Sequence, residues 1–156
     1  LSPQVLTYTV HPRGYNEDQK RKHDLALAGL DGLFKAVKSS GFENIAFGTD
    51  VITDPAMIAR VNEEFTLRER WFTPIEILRQ ATSKSAELLA LSGQRNPYAA
   101  PIGIIEEGAL ADLLLIDGNP LEDMSLLAHP AESIDLIMKG GRIYRDETTD
   151  HQRSQP

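Results

Sequence analysis

Apolar positions follow two rhythms along this chain. Between residues 1 and 10, Val5, Tyr8, Thr9 and Val10 have high β propensity, and the run stops at His11-Pro12-Arg13-Gly14, which predicts a strand and then a loop. From Asn16 the spacing changes. Leu27, Leu30, Phe34 and Val37 recur every three or four residues and predict a helix with one apolar stripe, started by Asn16 or Asp18 as cap and stopped at Ser39-Ser40-Gly41. The run Asn44 to Asp50 is short, apolar and polar at its end, as a buried parallel strand is where it opens onto a loop. Strand, helix, strand is the order of a βα repeat.

Downstream, Thr73-Pro74-Ile75-Glu76 sets a cap residue, a proline at the first helical position and a carboxylate at the third, which predicts a helix carrying Ile77, Leu78 and Ala81. Helical character is expected before it, from Glu63 to Phe72, and after it, through Ala86, Leu88 and Leu89 to Ser92-Gly93. Beyond Gly93 the composition shifts to Gly, Pro and β-branched residues. Strands are expected at Ile102 to Ile105, Ala111 to Asp117, Ile134 to Lys139 and Arg142 to Tyr144, the last two joined by Gly140-Gly141 as a two-residue hairpin turn. This divides the chain into residues 1–93, residues 94–146 and a polar, disordered tail at 147–156.

Composition narrows the function. With 156 residues the chain is too short for a complete (β/α)₈ barrel, which needs about 200 residues or more. Apolar residues at 41% are enough for a real core, and a net charge of −7 argues against nucleic acid or anionic membrane as partner. There is no cysteine, which removes disulfides, thiolate metal sites and cysteine nucleophiles. The run Ala109 to Ile116 is interrupted by Asp112 and falls far short of the roughly 20 residues that span a bilayer, so a soluble protein is expected. The compartment stays open, with the cytoplasm ranked ahead of secretion. The chain starts at Leu1 without a signal pattern and reads as a piece of a longer protein.

Asp50 is the first candidate for chemistry, because α/β barrels gather catalytic groups at the carboxyl ends of their strands. An Asp after Gly-Thr is also an ordinary turn former or helix cap. Gly48-Thr49-Asp50, Thr73-Pro74-Ile75-Glu76-Ile77-Leu78 and Ala81-Thr82 resemble the carboxyl-terminal part of the metal-dependent amidohydrolases. Three later stretches, Gly103 to Leu113, Asp117-Gly118-Asn119-Pro120-Leu121 and Ile137 to Arg142, are similar to the subgroup of imidazolonepropionase-like enzymes and Xaa-Pro dipeptidases.

The resemblance implies an α/β fold: the last two βα units of a TIM-like (β/α)₈ barrel, plus the carboxyl-terminal segment of a small β-sandwich. It implies hydrolysis of a C–N bond, in an amide, a cyclic amide or a dipeptide, by metal-activated water. Asp50 matches the family's aspartate that binds the metal and shuttles the proton. Such a role makes chemical sense, because a divalent ion lowers the pKa of its water and a fixed carboxylate can take the proton and return it to the leaving amine.

The family's other ligands, a His-x-His pair and later His or Lys residues, have no counterpart here. His11, His23, His129 and His151 are too far apart in sequence to form a metal motif. The divalent metal, zinc by the resemblance, is therefore expected in the full-length parent and not on this chain alone, which is expected to be inactive. His23, in the polar first half of its helix, is expected to be solvated, and His129 and His151 to lie on the surface. His11, Arg13 and Tyr15 are candidates for contact with a substrate carboxylate, against the plain reading of His-Pro-Arg-Gly-Tyr as a turn. Asp112 is expected to bond backbone amides at a turn.

The expected partner is a small amide or peptide, and the setting of Asn96-Pro97-Tyr98 and Ile105 to Gly108 resembles dipeptidase-like members. Two parallel strands alone leave unpaired edges, which calls for self-association or for the missing amino-terminal part. The alternative is a noncatalytic binding or dimerising module derived from the same fold.

Overall fold

The computed structural model describes residues 1–52 and 54–148. The longest element is helix α1, Glu17–Ser39. Asn16 starts it: its side-chain oxygen accepts from the Gln19 amide, and the Gln19 side chain accepts from the Asn16 amide, both at 2.9 Å. Two donors that a helix start leaves orphaned are thereby satisfied. Leu30, Phe34 and Val37 of the expected stripe are buried, while Leu27 lies at its exposed edge. Gly41, at φ 68°, turns the chain out of the helix.

Residues 1–10 are not one strand. Leu6–Tyr8 form a 3₁₀ turn, because the Glu64 carboxylate captures the amides of Val5 and Leu6 and draws the backbone round. Only Leu1 pairs as expected: its nitrogen donates to the Asn44 carbonyl at 2.9 Å and its carbonyl accepts from Ala46 at 2.7 Å. These two bonds straddle Ile45 in the slanted pattern of a parallel pair. The strand expected from Asn44 to Asp50 does not form beyond this contact: the Phe47 amide goes to the Gln80 carbonyl and the Ser85 hydroxyl, and Asp50 turns left-handed at φ 53°.

Four further helices follow: α2 at Pro55–Ile58, α3 at Glu63–Arg68, α4 at Pro74–Ala81 and α5 at Ser83–Ala90. Pro74 opens α4 as expected, and Glu76 accepts the Thr73 amide at 2.7 Å and its hydroxyl at 2.9 Å. The strand expected at Ile102 to Ile105 is a loop. Gly103, at φ 74°, lies against the Thr82 carbonyl so closely that a Cβ there would come within 2.7 Å of it.

The sheet is antiparallel, in the order β1 (Leu113–Ile116), β2 (Ile134–Lys139), β3 (Arg142–Asp146), with Leu114 opposite Ile137 and Lys139 opposite Arg142. Gly140 and Gly141, at φ 55° and 77°, make the expected tight turn between β2 and β3. Asp112 accepts the Gly140 amide at 2.7 Å, so its carboxylate ties β1 to that turn, as expected of it. Between β1 and β2 stand the short helices α6 (Ser125–Ala128) and α7 (Pro130–Ser133). Met124 and Leu127, beside and within α6, join Val5, Phe34, Ile45, Phe72 and Ile77 in one buried cluster. Among the described residues no helix is long and apolar enough to cross a membrane.

Candidate functional site

A buried polar network ties residues 3–6 to the run that leads to Asp50. Glu64 and Arg68 are one helical turn apart on α3, with no exposed side-chain surface, and are bonded at 2.8 Å. Glu64 accepts the Leu6 amide at 2.7 Å and the Val5 amide at 3.1 Å. Arg68 donates to Gln80 of α4 at 2.6 Å, to the Pro3 carbonyl, and at 3.5 Å to the carbonyl of Gly48, two residues before Asp50. Its guanidinium also stacks on the Phe47 ring, 4.6 Å from the centroid. Burial raises the pKa of Glu64 and lowers that of Arg68, while each partner's charge and the amides at Glu64 pull the other way. The sequence marked α3 as helical but not this pair, although Glu four residues ahead of Arg is the favoured helical ion-pair spacing.

Asp50 itself is exposed and takes a left-handed backbone, φ 53°, unlike any other described non-glycine residue. Such a conformation is uncommon outside glycine and is tolerated best by Asp and Asn. Asp50 lines a small hollow of about 60 Å³ with Thr7, Val10, Pro12, Asp54 and Met57. Asp54 is already committed, its carboxylate accepting the Ala56 amide at 2.9 Å to cap α2.

The fold therefore brings the loop after the first segment to the same side as Asp50, through Val10 and Pro12. His11, Arg13 and Tyr15 do not line the hollow. His11 Nε2 instead meets Asp24 of α1 at 2.6 Å, and the Tyr15 ring stands edge-on to the His23 ring, with centroids 5.9 Å apart. Arg13 is exposed. His129 is exposed too, and His151 lies outside the described residues. His23 corrects the expectation of a solvated residue: it is only 8% exposed, packed under Tyr8, His11 and Tyr15.

A carboxylate is a suitable donor for a divalent ion, but among the described residues no group of three ligating side chains includes Asp50. A catalytic centre needs about three protein ligands and an open position. The residues around Asp50 do not by themselves meet that requirement.

The helices and the small antiparallel sheet make the chain α/β, with one parallel backbone contact at Leu1. Residues 20–143 match the model of the amidohydrolase family, and the chain belongs to that family. It is 29% identical over 101 residues to an ochratoxinase of Aspergillus niger, a match that takes in 65% of this chain and 19% of the ochratoxinase. The chain thus spans about a fifth of the length of that curated relative. Among solved structures it is similar to an amidohydrolase, with a TM-score of 0.79 and 28% identity over 94% of this chain and 34% of the other. A prolidase complexed with N-methylphosphonate-L-proline gives 0.77 and 26% over 93% and 34%.

Proposed function

We propose that this chain is the carboxyl-terminal portion of an amidohydrolase that hydrolyses a C–N bond in a small amide or peptide, with Asp50 as its contribution to the catalytic centre. Residues 1–93 would supply the last two βα units of the barrel, and residues 94–146 the closing segment of a β-sandwich. The observation that carries the reading is Asp50 itself: an exposed carboxylate in a left-handed backbone, at the end of the extended segment that pairs with Leu1. A divalent metal, when bound by the whole protein, supplies an acidified water. Asp50 takes a proton on a carboxylate oxygen and gives it to the departing nitrogen, a proton transfer that contributes about 10²–10⁴-fold.

The family relationship supports C–N hydrolysis, and the likeness to a prolidase holding a proline analogue supports a substrate with a carboxylate. Arg13 and Tyr15, on the loop whose Pro12 shares the hollow with Asp50, are the residues we assign to that carboxylate. His11, which sequence put with them, is engaged by Asp24 and is left out of this role. The 156 residues alone would not hydrolyse amides at the Asp50 site, because a single carboxylate there does not hold a catalytic metal.

The test is Asp50→Asn in the complete gene product that carries these residues, assayed on dipeptides and N-acyl amino acids. A loss of about 10²-fold or more in kcat, with the fold kept, is expected; wild-type turnover by the variant would refute the assignment. Arg13→Ala is expected to raise KM for substrates with a free carboxylate and to leave amidated substrates unaffected.

A further inference from the structure

The chain folds three potential metal ligands together at a place the sequence does not announce. His11 opens the loop 11–15 that precedes α1, and His23 and Asp24 are successive residues in the first half of α1. In the structure one donor atom from each lies within 4.8 Å of the others. His11 Nε2 is 2.6 Å from an Asp24 oxygen, and both side chains reach solvent. The His11 and His23 rings stand edge to face, with centroids 5.2 Å apart.

His23 gives the cluster its chemical character. Its Nε2 lies 3.0 Å from the Thr7 carbonyl oxygen. A carbonyl only accepts, so the hydrogen bond assigns the ring proton to Nε2 and leaves a lone pair on Nδ1. Nδ1 is buried and has no hydrogen-bond partner, in a residue only 8% exposed. Leaving a buried acceptor unmatched is unfavourable, and a cation is a natural match for it. A ligating histidine commonly donates one ring nitrogen to a backbone carbonyl and keeps the other for the ion.

We infer that His11, His23 and Asp24 form a divalent-metal site of the zinc type: two imidazole nitrogens, one carboxylate oxygen and an open position for water. Tetrahedral bonds of about 2.0–2.2 Å put ligand atoms roughly 3.3 Å apart, so His11 and Asp24 separate slightly and the three atoms draw inward on binding. The two residues that must move most are the exposed ones; His23 is already held. The ion would pin the 11–15 loop to α1, and that loop carries Arg13 and Tyr15. The site includes neither Asp50 nor any residue of its hollow, so this inference does not rest on the proposed hydrolase role.

The experiment is titration of the 156-residue chain with zinc by calorimetry, with cobalt(II) as a spectroscopic reporter of tetrahedral nitrogen and oxygen ligation. One ion per chain is expected, with visible ligand-field bands. Affinity is expected to fall by 10–100-fold or more in His23→Gln, His11→Ala and Asp24→Asn, and to be unchanged in Asp50→Ala. Circular dichroism without metal checks the fold of His23→Gln. If that variant unfolds, His11→Ala and Asp24→Asn, at exposed positions, carry the test. The inference is overturned if the wild-type chain binds no zinc, if His11→Ala and Asp24→Asn bind as wild type does, or if Asp50→Ala abolishes binding.

Discussion

Arg68 and Glu64 make an ion pair at 2.8 Å with no solvent access on either side. A buried pair of this kind is a weak source of net stability, because desolvating two charges offsets most of their attraction. Its value here is positional. One guanidinium reaches the backbone of both extended segments, at Pro3 and Gly48, and the side chain of Gln80, while its partner holds Val5 and Leu6. Where a full barrel would use strand ladders, this pair bridges the two segments through side chains.

Breaking that pair from one side leaves a buried charge without its counter-ion. Arg68→Met is expected to lower unfolding free energy by about 3–5 kcal/mol, and Glu64→Gln to be similarly damaging. The double variant should lose clearly less than the two single losses combined, because each single removal strands the other residue of the pair and the double variant leaves neither charge behind. Urea unfolding of the four proteins measures this, and strictly additive losses would contradict the coupling.

The start of α4 carries a pH dependence. Burial pushes the Glu76 carboxyl up, but the Thr73 amide and hydroxyl and the Lys38 ammonium outweigh it, leaving the group below its ordinary 4.5. A carboxyl held low in the folded state adds stability above its unfolded pKa, and that stability is lost as pH falls through the folded value. The stability difference between wild type and Glu76→Gln should therefore be largest near neutrality and shrink once pH drops below 4.5. Thr73→Ala should cost about 1 kcal/mol at neutral pH. Urea midpoints across the acid range decide the matter, and a wild-type advantage that is flat with pH would sink the prediction.

How much of this was legible in sequence follows from how local each feature is. The capping of α1 by Asn16, the proline start of α4, the Gly140-Gly141 turn and the Asp112 bond to it all depend on nearby residues or on one hairpin. The 3₁₀ turn at Leu6–Tyr8 was not legible, because the carboxylate that bends it is Glu64, far along the chain. His23 was readable in part. Counting back from Val37, Phe34 and Leu30 in steps of three and four reaches Ala26 and then His23, so the apolar stripe extends one turn further than its aliphatic members suggested. The meeting of His11 with His23 and Asp24 required the loop's path. Asp50 was singled out as a candidate by its place after a predicted strand and by family resemblance; its left-handed backbone and its hollow required the fold.

Asp112 offers a contrast to Asp50. Its oxygen accepts the Gly140 amide across the β1 edge at 2.7 Å. Asp112→Ala removes one charge-assisted hydrogen bond and should cost about 1.5–3 kcal/mol at most, less where water replaces it. On the proposed hydrolase reading, activity per folded molecule should be unchanged. A thermal melt beside an active-site titration separates the two effects, and a fall in kcat at full folding would mean that Asp112 has a role beyond the hairpin.

Two kinds of glycine should respond in opposite directions to the same methyl group. Gly103 sits at φ 74°, where an added Cβ would come within 2.7 Å of the Thr82 carbonyl carbon and oxygen and 3.1 Å of the Ser83 amide nitrogen. All three are backbone atoms at the junction of α4 and α5, so nothing nearby can rotate away. Gly103→Ala combines left-handed strain with this clash, and a loss of about 1–3 kcal/mol is expected. Gly29 and Gly32 lie inside α1 on its exposed side, and a Cβ at either meets nothing within 4 Å. There alanine narrows the unfolded ensemble and adds helix propensity, so each substitution should raise stability by about 0.5–1 kcal/mol. Because an added methyl at either site meets nothing within 4 Å, the double variant should gain nearly the sum. Denaturant unfolding of Gly29→Ala, Gly32→Ala and Gly103→Ala on one scale makes the comparison. A neutral Gly103→Ala would mean that the loop after Asn96 does not press on the α4–α5 junction in solution, and a destabilising Gly29→Ala would mean that the outer face of α1 is covered.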